Sequence, residues 1–181
     1  MTQTQEQVIL VDERNREVGA DEKLRAHRSG ALHRAFSVFV FDPGGRLLLQ
    51  RRARGKYHSG GLWSNTACGH PRPGEATAAA ARRRLREEMG FECELREAFD
   101  FTYRAELDGG LVEHEYDQVF VGEFAGEPEP DDSEVEAWRW IGMNDLRRDL
   151  RTSPARYTHW LKVAVEGEGW PRLEALLALT S

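Results

Sequence analysis

Short apolar runs and one long amphipathic stretch set the rhythm of this chain. Val8-Ile9-Leu10-Val11 is apolar over a strand's length, and Asp21 to Arg28 then carries helix-forming residues behind an acidic N-cap candidate. On such a helix Lys23 and His27 share a face. Ala35–Asp42 and Arg46–Gln50 are β-rich, and Pro43-Gly44-Gly45 between them reads as a hairpin turn, with Arg51-Arg52 leaving the second strand. Arg54 to Pro73 is rich in Gly, Ser, His and Pro and reads as a long ordered loop, a feature uncommon unless functional. From Glu75 to Met89 the period becomes helical: Ala78, Ala81, Leu85 and Met89 form an apolar stripe that Gly90 ends. Arg84 and Glu88, four apart, emerge on one side of that helix. Strands are predicted at Phe91–Leu95, Ala98–Arg104, Leu111–Phe124 and Val135–Ile141, the middle pair joined across Asp108-Gly109-Gly110. Beyond Met143 the pattern predicts helices broken at Pro154 and Pro171.

A chain of 181 residues without a Pro/Ser-rich linker reads as a single domain over residues 1–181. With 25 Lys+Arg against 31 Asp+Glu the net charge is −6, which argues against a broad nucleic-acid footprint and leaves any phosphate-binding charge local. No apolar run is long enough for a bilayer, the Met1–Gln7 start is polar, and only two cysteines occur; a soluble, reducing, cytoplasmic setting is the expectation. The run from Glu127 to Asp132 alternates acids with prolines and reads as a solvated loop.

The chemistry concentrates around Cys68-Gly69-His70-Pro71. In Glu113-His114-Glu115 a period of two puts both acids on one strand face, where they want a cation between them. His27, His33 and His70 lie in segments flanking the same region, and three imidazoles with two carboxylates suit Mn2+ or Mg2+, or Zn2+ in a distorted geometry. Taken alone, a histidine in a polar loop such as His27 is more often an exposed residue than a ligand. Lys23, Arg52, Lys56 and Arg84 come from four segments and could hold phosphate oxygens, though each taken alone is more often a surface residue. Cys93, alternating with Phe91 and Leu95, reads as a buried structural thiol, and Trp138, Trp140 and Trp170 as packing residues.

Gly69, Glu75, Arg83, Leu85, Glu87, Glu88, Gly90 and Phe91 fit the Nudix box, Gly-x5-Glu-x7-Arg-Glu-U-x-Glu-Glu-x-Gly-U with U apolar, except that Arg84 stands where a hydrolase has a metal-binding glutamate. With Trp63-Ser64-Asn65-Thr66-Ala67-Cys68-Gly69-His70-Pro71 and Glu113-His114-Glu115, the chain resembles the type 1 isopentenyl diphosphate isomerases from about Val8 to Trp160. That resemblance implies a Nudix-like α/β/α sandwich with a mixed sheet and C-terminal helices. It implies catalysis by Cys68 and Glu115 with Tyr103 as hydrogen-bond partner or relay. His27, His33, His70, Glu113 and Glu115 would be metal ligands, and Glu88 with the Cys68 carbonyl would hold a Mg2+ on the diphosphate. Lys23, Arg52, Lys56 and Arg84 would hold the diphosphate itself. Phe36, Trp63 and Trp160 would present aromatic faces to a carbocation, Trp160 from a helix able to close as a lid. The implied partner is a small isoprenoid diphosphate, with no nucleic acid or membrane, bound by a monomer or weak homodimer. Two rivals share the scaffold: a Nudix hydrolase, against which Arg84 counts, and a ligand sensor that would have lost its catalytic groups.

Overall fold

The apolar runs become strands because their alternate residues feed two separate cores. In the computed structural model, which describes residues 6–166 and 169–178, nine strands make one mixed sheet. They are β1 (Gln7–Val11), β2 (Glu17–Glu22), β3 (His33–Phe41), β4 (Leu47–Arg52), β5 (Trp63–Ser64), β6 (Ala67–Gly69), β7 (Leu95–Glu106), β8 (Val112–Glu123) and β9 (Val135–Ile141). Phe36, Val38 and Val40 of β3, Leu48 of β4 and Phe120 of β8 pack on one face against Ala80, Ala81, Leu85 and Met89 of helix α2 (Thr77–Met89). Phe39, Phe41, Leu47, Leu49, Val119 and Val121 turn to the other face. There they meet Leu146 and Leu150 of α3 (Met143–Thr152), Leu161 and Ala164 of α4 (His159–Val165) and Leu173 of α5 (Gly169–Ala178). Central strands covered on both faces need near-continuous apolar sequence, which Ala35–Phe41 and Leu47–Leu49 supply.

Register carries these strands into the site. Parallel pairing of β3 with β8 sets His33 opposite Glu115, and antiparallel pairing of β7 with β8 sets Tyr103 opposite the same glutamate. On the other side of β3, Ser37 lies opposite Cys68 and Phe36 opposite Gly69 of β6. A Cβ at Gly69 would sit 3.3 Å from both Arg84 Cγ and Phe36 Cζ, so glycine is what lets α2 come this close to the strand.

Several expectations are corrected. Asp21 belongs to β2, opposite Val8, and its carboxylate accepts from Glu22 N and Arg25 Nε, so it does not cap the helix; α1 runs Lys23–Ser29. The segment Arg54–Pro73 contains β5 and β6, and Arg51-Arg52 remain in β4. Phe91–Leu95 is not a strand: Leu95 is the first residue to find a partner on β8, and Phe91 instead stacks on Phe124 at 3.8 Å. Cys93 is accordingly off any strand and half-buried, its sulfur packed against Gly122. Pro171 lies in the first turn of α5, where its missing N–H costs nothing, so it does not break that helix. Gly90 does stop α2, at φ 74°, and a Cβ there would lie 2.1 Å from Glu129 O. The side chain of Trp170 lies outside the described residues.

Candidate active site

One cavity, of about 230 Å³, collects residues from seven helices and strands and from segments outside them. Lys23, Arg52, Lys56, Arg84, Phe36, Cys68, His70, Glu88, Glu113, Glu115 and Trp160 all line it, brought together from far apart in sequence. His27, His33 and Tyr103 stand directly behind this lining. Trp63 does not reach it: its ring is buried in the core under α4, between the guanidinium groups of Arg51 and Arg139. Sequence reasoning had no way to tell which aromatic of that loop turns inward.

The histidines and paired acids converge. His27, His33, His70 and Glu115 present ligand atoms within 4.8 Å of one another. His27 Nδ1 and His33 Nδ1 each donate to a backbone carbonyl, of Lys23 at 2.6 Å and Ala31 at 2.8 Å. Those bonds fix the tautomer and leave both Nε2 atoms buried without a partner, the usual preparation of a metal-ligating imidazole. Burial keeps His70 neutral, lowering it to about 4, and also lowers His27. On the carboxylate side, burial opposes ionisation of Glu115, but the neighbouring imidazoles of His33 and His70, the latter hydrogen-bonded to Oε1 at 2.8 Å, outweigh it and hold this group well below the ordinary range. Burial and the neighbouring Glu115 charge push Glu113 well above it. Tyr103 Oη bridges the two, donating at 2.7 Å to Glu115 Oε2 and 3.0 Å to Glu113 Oε2. Two buried acids that cannot both ionise unaided, beside orphaned imidazole nitrogens, fit a divalent cation.

The cationic side of the cavity is arranged by carboxylates. Arg84 gives Nε and Nη2 to Glu88 Oε1 at 3.0 and 2.8 Å, and Nη2 also reaches Glu134 Oε2 at 2.9 Å. Lys56 pairs with the same Glu134 oxygen, and Lys23 with Glu6 at 3.0 Å. Glu88 is 2 % exposed and takes a further bond from Gln50 Nε2 at 2.6 Å. Arg52 lies over the Trp160 ring at 5.2 Å, with Nη1 3.9 Å from Cys68 Sγ. Burial and the Glu88 charge push the Cys68 thiol up to about 12 against the pull of Arg52.

Trp160 is already seated rather than poised as a lid. It is 3 % exposed, and its indole N–H reaches Ser64 Oγ at 2.9 Å and Asn65 Oδ1 at 3.1 Å. Glu6, Tyr57, His58, Asp117 and Glu134 also line the cavity and were missed in the sequence. Asp117 could have been found, because it continues the Glu113, Glu115 alternation on β8. Glu134 lies just past the acidic run that had been given only a solvated role.

The other half of the Nudix-like motif is structural. Arg83 forks onto Glu75 with bonds of 2.8 and 2.9 Å, and Glu75 also accepts from Arg72 N, which ties the loop to the second turn of α2.

Residues 31–161 match the NUDIX domain family. The fold is similar to that of DR0079 from Deinococcus radiodurans (TM-score 0.73, 20% identity, 87% of this chain and 96% of that one) and of a MutT protein from Methanosarcina mazei (TM-score 0.62, 16% identity, 80% and 94%). Sequence similarity is higher to isopentenyl-diphosphate Delta-isomerase 2 of Aromatoleum aromaticum, 55% identical over 90% of this chain and 86% of that protein. The isopentenyl-diphosphate Delta-isomerase of Burkholderia multivorans is 54% identical over 93% and 96%, and that of Serratia proteamaculans 48% over 94% and 98%. With its box arginine at position 84 and its cysteine beside the metal-type cluster, the chain belongs to the type 1 isopentenyl-diphosphate Delta-isomerase family of the Nudix superfamily.

Proposed function

We propose that this protein, as one domain, interconverts isopentenyl diphosphate and dimethylallyl diphosphate by a 1,3-allylic proton shift through a tertiary carbocation. The observation that carries the reading is the pairing, in one small cavity, of a thiol and a Tyr103-bound carboxylate with four cations and no complete hydrolytic carboxylate cluster. A cavity of about 230 Å³ suits a five-carbon chain on a diphosphate better than a nucleotide derivative, since pockets for larger ligands run to roughly 300–1,000 Å³.

Lys23, Arg52, Lys56 and Arg84 hold the diphosphate, and its oxygens take over the donors that Glu6 and Glu134 now accept from. Glu88 and the Cys68 carbonyl would hold a Mg2+ on the diphosphate, since an ion that keeps water and phosphate ligands needs few from protein. A second divalent ion, Mn2+, Mg2+ or Zn2+, held by His27, His33, His70, Glu113 and Glu115, would supply the charge that sets the acidity of Glu115. Cys68 and Glu115 act as the acid–base pair, one protonating the alkene and the other taking a proton from C2. Tyr103 holds the Glu115 carboxylate and its proton in line. Phe36 and Trp160 wall the carbocation from water, with a cation–π contribution of about 2 kcal/mol from the desolvated Trp160 indole. The working species is a monomer or weak homodimer, in the cytoplasm, with neither nucleic acid nor membrane as partner.

The test is turnover of the Cys68→Ala variant in protein shown to be folded by circular dichroism. Isomerisation should be abolished; near-wild-type turnover would remove Cys68 from the acid–base pair.

A further inference from the structure

His58 lies in the loop that delivers Lys56, outside the sequence of both the Nudix-like motif and the Glu-x-Glu pair. Its side chain is 6 % exposed, with Nε2 3.2 Å from Glu113 Oε1. The ring is edge-on to Tyr57 at 4.3 Å and to Trp160 at 5.9 Å, and its backbone carbonyl accepts from Arg52 Nη2 at 3.5 Å. The next residue, Ser59, adopts a left-handed backbone at φ 53°, a conformation a serine is not given freely. Ser59 Oγ sits 3.2 Å from His58 Nδ1. If Nδ1 donates that bond, Nε2 is left unprotonated and facing Glu113.

The donor atoms of His27, His58 and Glu113 fall within 4.8 Å of one another, as do those of His27, His33, His70 and Glu115. His27 belongs to both sets, so the two adjoin through its ring. Bonds of about 2.1 Å to an octahedral ion place neighbouring donors ~3.0 Å apart. The His58 to Glu113 separation of 3.2 Å is that of two adjacent ligands.

We propose that His58 is a further ligand of the divalent-metal centre, acting through Nε2. It completes six donors with His27, His33, His70, Glu113 and Glu115. The proposal rests on the metal-site reading given above and adds to it a residue from the Lys56 loop, so that metal loading orders the loop that carries a diphosphate-binding cation.

The test uses Mn2+ alone as probe, titrated into metal-free wild-type, His58→Phe and His33→Ala proteins with free Mn2+ followed by electron paramagnetic resonance. The same proteins loaded with Co2+ are read by visible absorption. Phenylalanine keeps the ring contacts to Tyr57 and Trp160 while removing the nitrogen; His58→Gln serves if H58F does not fold. H58F should bind Mn2+ at least tenfold more weakly, and its Co2+ band should intensify as six-coordination falls to five. Wild-type affinity and an unchanged Co2+ spectrum in H58F, with binding lost in H33A, would overturn the role of His58 and leave the centre standing. Weaker binding with an unchanged Co2+ spectrum would also overturn it, because His58 would then only steady Glu113. A wild-type protein that takes up no Mn2+ would overturn the metal centre, and this proposal with it.

Discussion

At the residue scale the site is a set of cations already answered by carboxylates. Burial opposes the Glu134 charge, but the hydrogen bond and charge of Lys56 and the charge of Arg84 hold its carboxyl below the ordinary range. Glu134 is therefore an anion on two of the cations proposed to hold the diphosphate. Glu134→Gln should lower the substrate KM by about fivefold, equivalent to ~1 kcal/mol of competing ion pair. A raised KM would mean that Glu134 instead aims the two cations. Lys56→Ala and Arg84→Ala should each raise KM tenfold or more in steady-state kinetics, and a loss confined to kcat would count against a diphosphate role. Which single residues meet was legible where the motif is short: Cys68 and His70 share a loop, and Glu113 and Glu115 a strand face. Trp63 and His58 were not legible, because one loop of mixed polarity gives no period to say which side chain turns toward the cavity and which toward the core.

At the scale of elements, α2 and the loop before it act as one piece. Arg83 and Glu75 form a two-pronged ion pair, 16 % and 20 % exposed in their side chains, and the bond from Arg83 holds the Glu75 carboxyl below its ordinary pKa of 4.5. A group with a depressed folded pKa stabilises the fold in full above its unfolded pKa and loses that stabilisation as pH falls through the folded one. Glu75→Gln should thus cost about 1 kcal/mol in denaturant unfolding at pH 7, with the difference from wild type shrinking below pH 4.5. A pH-independent difference would assign the loss to packing. Elements with their own periodicity, such as α2, β3 and β4, were legible in the chain. β2, β5 and β6 were not, since two or three residues, or a run as polar as Glu17–Glu22, become strands only because a neighbour offers unpaired backbone groups. The same dependence explains why Phe91–Glu94, apolar and alternating, is no strand: its ladder with β8 begins only at Leu95, opposite Gly122.

For the whole molecule, the two-core sheet makes the site possible by fixing register over long sequence distances. His33 and Glu115 are 82 positions apart, yet parallel pairing of β3 and β8 sets them side by side, and Tyr103 joins from β7 by antiparallel pairing with β8. The mixed-sheet α/β class was legible in the sequence because the Nudix-like motif and the apolar runs agree. The register was not, because parallel pairing leaves no turn signal in the chain. The cavity so assembled holds a thiol, paired glutamates and four cations but lacks the full carboxylate cluster of a hydrolase, Arg84 standing in place of one member. The central claim is that this cavity moves protons and does not break phosphoanhydride bonds. The most direct measurement is proton NMR of the purified protein with isopentenyl diphosphate, Mg2+ and Mn2+ in D2O. Dimethylallyl diphosphate should appear with deuterium in a methyl group and no release of phosphate. Unchanged alkene signals from folded, metal-loaded protein, or phosphate release without isomerisation, would contradict it.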